Sequence, residues 1–92
     1  ILSGVKKLLK VLIKTKYLNM SKLILHNDDI NSATKVASAL IKCLDYELPA
    51  AAQTILLAEG RGSIVIKEGD FIELFMAQNC FEELKINTEL IA

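Results

Sequence analysis

The sequence predicts an α+β domain whose elements run in the order β-α-α-β-α-β. Three observations carry that prediction. Short β-compatible runs alternate with longer segments whose apolar residues recur at helical spacing. Asn, Asp, Gly and Pro punctuate the joins between them. The chain has 92 residues and is 52% apolar, enough for one packed core and too short for two.

The first strand is expected over Lys22-Leu23-Ile24-Leu25-His26, which is short, β-compatible and followed by the polar cluster Asn27-Asp28-Asp29. Asn and Asp bond their own backbone in turns and cap helices, so a helix starts beyond the cluster, with Asn31 or Ser32 as its N-cap. It runs to about Leu44, and Ala33, Val36, Ala37, Leu40 and Leu44 form its apolar stripe. Asp45-Tyr46-Glu47-Leu48-Pro49 breaks the pattern, and Pro49 suits the first turn of a second helix. That helix carries Ala52, Ile55 and Leu56 on one side and reaches about Glu59, where Gly60-Arg61-Gly62 supplies a left-handed cap. Ile64-Val65-Ile66 reads as a short buried strand, and Glu68-Gly69-Asp70 as a turn. Asp70 caps a third helix from Phe71 to about Gln78, with Asn79 as its terminator. Leu84, Ile86 and Thr88 alternate with Lys85, Asn87 and Glu89, the pattern of a final half-buried strand.

Net charge is zero, which argues against a general nucleic-acid binder, but the charges are unevenly distributed. Residues 1–20 hold five lysines and no acid, while residues 21–92 hold six bases and eleven acids. A basic arm (1–20) therefore precedes an acidic core domain (21–92). In the arm, Val5, Leu8, Leu9 and Leu12 fall at i, i+3, i+4 and i+7, opposite Lys6, Lys7, Lys10 and Lys14, an amphipathic helical pattern. Three readings of the arm stay open. It lies on an anionic membrane surface, it docks on a partner or directs targeting, or it is foreign to a native chain that starts at Met20. No apolar run approaches the ~18 residues of a membrane span.

Cys43 and Cys80 have neither metal-ligand spacing nor the density of a disulfide framework, so both are expected as free core thiols in a reducing compartment. Catalytic chemistry is not visible. His26 is the only histidine, and no Ser/His/Asp set, HExxH, Walker loop or GxGxxG occurs. Nothing in the sequence calls for a metal or cofactor, and no convergent acid–base set points to an enzyme.

The run Leu23-Ile24-Leu25-His26-Asn27-Asp28-Asp29 resembles the signature of the ClpS adaptors. Ala52-Gln53 through Leu56 resembles that family's second helix, and Glu59-Gly60-Arg61-Gly62 the turn after it. The similarity is specific over residues 22–62, modest to residue 66, and does not reach the arm. It implies a three-stranded antiparallel sheet with helices packed on one face. It also implies an adaptor, not an enzyme, which binds the hydrophobic first residue of a substrate (an N-degron) and docks on a Clp-type AAA+ unfoldase such as ClpA or ClpC. By the resemblance, Asn27, Asp28 and Asp29 meet the substrate α-amino group, while Ala33, Val36, Ile55, Ala58 and Leu84 line the side-chain pocket. The implied location is the cytoplasm, or a plastid-like stroma if the arm belongs to a targeting extension. Read locally, without the surrounding matches, Asn-Asp-Asp is an ordinary strand-to-helix turn with a good cap, and His26 a partly exposed strand-end histidine.

The chain departs from the family in three places. A histidine that helps hold the α-amino group corresponds to Glu59, which either pairs with the ammonium or is a solvated helix-end carboxylate. A bulky Met at the pocket rim corresponds to Ala33, a deeper Met to Ile55 and a nearby Val to Ala58. A wider pocket that admits Ile and Val is the expectation; a filled, inactive pocket is the competing one. The third-helix region is shorter than the family pattern, so its unfoldase-contacting charges cannot be assigned. The alternative function is a relative that keeps the fold as a protein-interaction domain without N-degron binding.

Overall fold

The computed structural model describes residues 4–6 and 20–92. Residues 4–6 are helical, and the rest of the expected amphipathic helix lies outside the described residues. The six elements of the domain are β1 (Met20–His26), α1 (Ala33–Leu44), α2 (Leu48–Arg61), β2 (Ser63–Asp70), α3 (Phe71–Glu83) and β3 (Thr88–Ile91). They form one antiparallel sheet in the order β2-β1-β3, so the first strand is central. The expected order and α+β class hold.

The alternation of β1 sets the layers. Ser21, Leu23 and Leu25 are buried, whereas Met20 and Lys22 are exposed, so one face of the sheet carries the helices. Leu23, Leu25, Leu40, Ile55, Ile66, Leu74, Phe81 and Ile86 meet in the core beneath it. The register between β1 and β2 slips at Leu23/Ile24, because Ile66 is an extra residue in β2 and forms a bulge.

The polar punctuation does what its chemistry allows. The Ser32 hydroxyl accepts from the Lys35 N–H at 3.2 Å and caps α1. Asp45 ends that helix in the left-handed region, at φ 61°. Pro49 lies in the first turn of α2, and Gly62 closes it at φ 87° with its N–H on the Ala58 carbonyl at 2.8 Å. Tyr46, between α1 and α2, donates to the Ile66 carbonyl at 2.5 Å and ties that loop to β2.

The second half of the chain corrects the sequence reading. Glu68-Gly69-Asp70 is strand, not turn, because it pairs with Met20, Ser21 and Lys22. α3 passes through Asn79 and continues to Glu83, since Phe81 is fully buried and holds the extra turn against the core. It ends in a Schellman arrangement. Lys85 takes φ 60°, its N–H bonds the Glu82 carbonyl, and the Ile86 N–H bonds the Phe81 carbonyl. Leu84 is thus a helix cap, and β3 begins four residues later than expected.

The cysteines are the other correction. Cys43 at the end of α1 and Cys80 in α3 form a disulfide, with Cα atoms 5.7 Å apart and a sequence separation of 37. The expectation of two free thiols fails, and with it the basis for inferring a reducing compartment.

Candidate functional site

Three chain reversals meet at one end of the sheet. The Asn27 N–H donates to the Gly62 carbonyl at 2.8 Å, which joins the end of β1 to the turn after α2. The Asn31 side-chain amide donates to the Lys85 carbonyl at 3.1 Å, which joins the same turn to the end of α3. A cavity of about 50 Å3 opens between these reversals. Its polar rim comes from Asn27, Asp28, Asn31 and Glu59, and its apolar wall from Ala33, Val36, Ile55, Ala58 and Ile86.

Asp28 is the most constrained group at the rim. One carboxylate oxygen accepts the Ile30 and Asn31 backbone N–H groups at 3.0 and 2.7 Å, and the other accepts the Asn31 amide at 2.9 Å. The Asn31 backbone N–H, and then its side-chain amide, hold the Asp28 carboxyl below the usual carboxylate range. The group is therefore ionised and fixed in direction at neutral pH. A carboxylate offers about four lone-pair sites, so three donors leave one for a ligand. Both Asn31 amide hydrogens are used, which leaves its carbonyl oxygen as a second acceptor.

The remaining predicted residues divide clearly. Glu59 stands exposed in the last turn of α2 and lines the same cavity, so it adds a second carboxylate. Ala33 and Val36 face it from the first turn of α1, and Ile55 and Ala58 from the buried side of α2. Asp29 is exposed and does not line the cavity. Leu84 packs against the core instead, and Ile86 lines the wall in its stead. Asn31 and Ile86 were not foreseen as site residues. His26 also borders the cavity, but its imidazole turns to Glu89 across the sheet, with Nε2 to Oε1 at 2.9 Å. Among the described residues, no group of three or more His, Cys, Asp or Glu side chains is arranged to hold a metal ion.

Comparison with known proteins bears on this arrangement. The family described as ATP-dependent Clp protease adaptor protein ClpS matches residues 16–84. The chain belongs to the ClpS family. Membership in that family supports the role of an adaptor for a Clp protease. Among solved structures, Agrobacterium tumefaciens ClpS2 bound to L-phenylalaninamide is similar to this ClpS chain at 20% identity and a TM-score of 0.67. The match covers 78% of this chain and 96% of that one, and it establishes the shared fold. No curated protein sequence matches the chain significantly. Among the described residues, no helix is long and apolar enough to cross a membrane.

Proposed function

We propose that the cavity captures the free amino terminus of a polypeptide with an apolar first residue, for delivery to a Clp-type AAA+ unfoldase. One observation carries this reading: the same small cavity has a rim rich in acceptors and carboxylates, and a wall of aliphatic side chains. An α-amino group is a cation with three N–H donors. Asp28, the Asn31 carbonyl and Glu59 are acceptors of the right sign and number. The adjoining side chain meets Val36, Ile55, Ala58 and Ile86, and burying an aliphatic group there gains roughly 1.5–3 kcal/mol at most. L-phenylalaninamide, present in the similar ClpS2 structure, has these two features, a free amino group and an apolar side chain.

The site as proposed differs from the one the motif suggested. Asn31 and Ile86 join it, and Asp29 and Leu84 act indirectly, through the turn and the core. Ala33 carries only a methyl group at the rim, which supports acceptance of β-branched first residues. ClpA- or ClpC-like unfoldases are the proposed recipients.

Fluorescence anisotropy with short labelled peptides beginning Leu, Ile, Phe or acetyl-Leu tests the reading. Micromolar binding to free termini, abolished by acetylation and by Asp28→Ala, is the expected result. Equal affinity for free and acetylated peptides would refute amino-terminal capture and favour an interaction domain that merely shares the fold.

A further inference from the structure

The capture cavity does not end at Ala33. A second depression of about 430 Å3 runs outward between α1 and α2, and Ala33, Ile55 and Glu59 line both. Its outer walls include Ile41, Leu48 and Leu56. Leu48 and Leu56 are 63% and 68% exposed, so they are not satisfied by packing within the domain. Large aliphatic side chains at that exposure, gathered along one groove, are unusual on a monomeric surface.

We infer that this groove is a specificity subsite for the third residue of the captured polypeptide. The inference rests on the amino-terminal capture proposed above, and the geometry then fixes the direction of the chain. The amino group is held at the Asn27, Asp28 and Asn31 end, which the Asn31–Lys85 bond closes. Glu59 reaches the amino group from the side shared with the groove, and the polypeptide continues past Ala33 and Ile55, which also line both, into the groove. In an extended chain successive side chains point to opposite faces, so the first and third lie on one side, about 6.5–7 Å apart. With the first side chain directed into the cavity, the second faces solvent and the third faces Leu48 and Leu56. Ala33 makes this continuous path, because it puts a single methyl group at the threshold. Glu59 at the same threshold disfavours an acidic residue following the first. The substrate class is therefore a polypeptide with an apolar residue at positions one and three and no acid between or at them.

The test uses the whole chain and labelled peptides of the form Ile-Ser-X, with X as Gly, Leu, Phe or Asp, followed by a common polar tail. Leu or Phe at the third position is expected to bind about tenfold tighter than Gly, the order for partly burying one such side chain. Asp is expected to be the weakest of the four. In Leu56→Ser, which alters an exposed residue, the ratio between Leu and Gly should collapse towards one. A companion series, Ile-X-Ser, should show little dependence on X among uncharged residues. Clear binding of free termini that ignores the third residue would overturn the groove and leave capture standing. A preference at the second position alone would overturn the extended course. Failure of every free terminus to compete better than its acetylated form would overturn capture itself, and the groove with it.

Discussion

Reducing the Cys43–Cys80 bridge should cost the domain a large part of its stability while sparing peptide capture. The bridge closes a loop with a sequence separation of 37 residues. In the chain-entropy treatment, a loop of that size removes about 13 cal/mol/K from the unfolded ensemble, or about 4 kcal/mol at 25 °C. A chain of 92 residues is typically stable by roughly 5–14 kcal/mol, so the bridge supplies roughly a quarter or more. With urea slopes of about 1–3 kcal/mol/M, the unfolding midpoint should fall by roughly 1.3–4 M on reduction. Circular dichroism in urea, with and without dithiothreitol, measures this directly, and Cys80→Ser should reproduce the reduced value. The capture site lies at the other end of α1, ten residues or about 15 Å from Cys43. Peptide affinity of the reduced, still folded chain should therefore match that of the oxidised chain. A midpoint that does not move on reduction would refute the bridge as a stabilising tie. A capture site that fails while the fold persists would refute its independence from the bridge.

Further outcomes follow from the same structure. Asp28 has a folded-state pKa depressed below its ordinary 3.8, so its contribution to stability is complete above that value and is lost as pH falls through the lower folded one. Titrated peptide binding should accordingly persist through the ordinary carboxylate range and fail only as pH falls through the lower folded value of Asp28. It should also weaken above about pH 8, where a peptide α-amino group loses its proton; a flat profile across that limb would argue against an ammonium ligand. Ser21 is 1% exposed, and its hydroxyl has no hydrogen-bond partner among the described residues. Ser21→Ala should raise stability by about 1 kcal/mol in urea unfolding, since an orphaned buried polar group costs about that much or more. Ala33→Met should restore a bulky rim and weaken binding of Ile-initiated peptides by about tenfold relative to Leu-initiated ones, the scale at which pockets discriminate a methyl group; equal losses for both would mean that Ala33 does not set selectivity.

The first half of the fold was legible because its stops are chemically explicit. Ser32, Pro49 and Gly62 each have one conventional place at a helix end, and each occupies it. The second half lacks such marks. α3 is stopped by a lysine in the left-handed region, a conformation that costs an ordinary residue about 1–2 kcal/mol and leaves no sequence signal. Asn79 imitated a terminator, but the buried Phe81 decided the helix length by packing. Glu68-Gly69-Asp70 has the composition of a turn and lies in strand because β1 extends far enough to pair with it. The bridge was hidden for a similar reason, since two cysteines 37 residues apart meet only once both helices are laid across the sheet. At the site, the motif marked Asp28 through its neighbours. The lengthened α3 then moved the wall residue from Leu84 to Ile86. Asn31 was invisible because its two amide bonds reach Asp28 and Lys85, and only the folded chain brings the latter near.

The two rim carboxylates are placed by opposite physics, and the difference bears on what they bind. Asp28 is satisfied before any ligand arrives. Three N–H groups of its own turn point at it and hold it ionised. Its role is therefore direction, since it presents a fixed lone pair at little further cost in order. Glu59 stands in the last turn of α2, where the helix dipole opposes a negative charge. A cation arriving there relieves that repulsion, and the carbonyl end of the helix adds to the attraction. An ammonium group between the two carboxylates thus receives orientation from one and net charge from the other. A neutral or acetylated terminus has fewer N–H donors and no charge, so it could bond the first but would gain little from the second. If the site captures a terminus as proposed, Glu59 takes the place of the histidine that the resemblance implies and would hold the ammonium by charge.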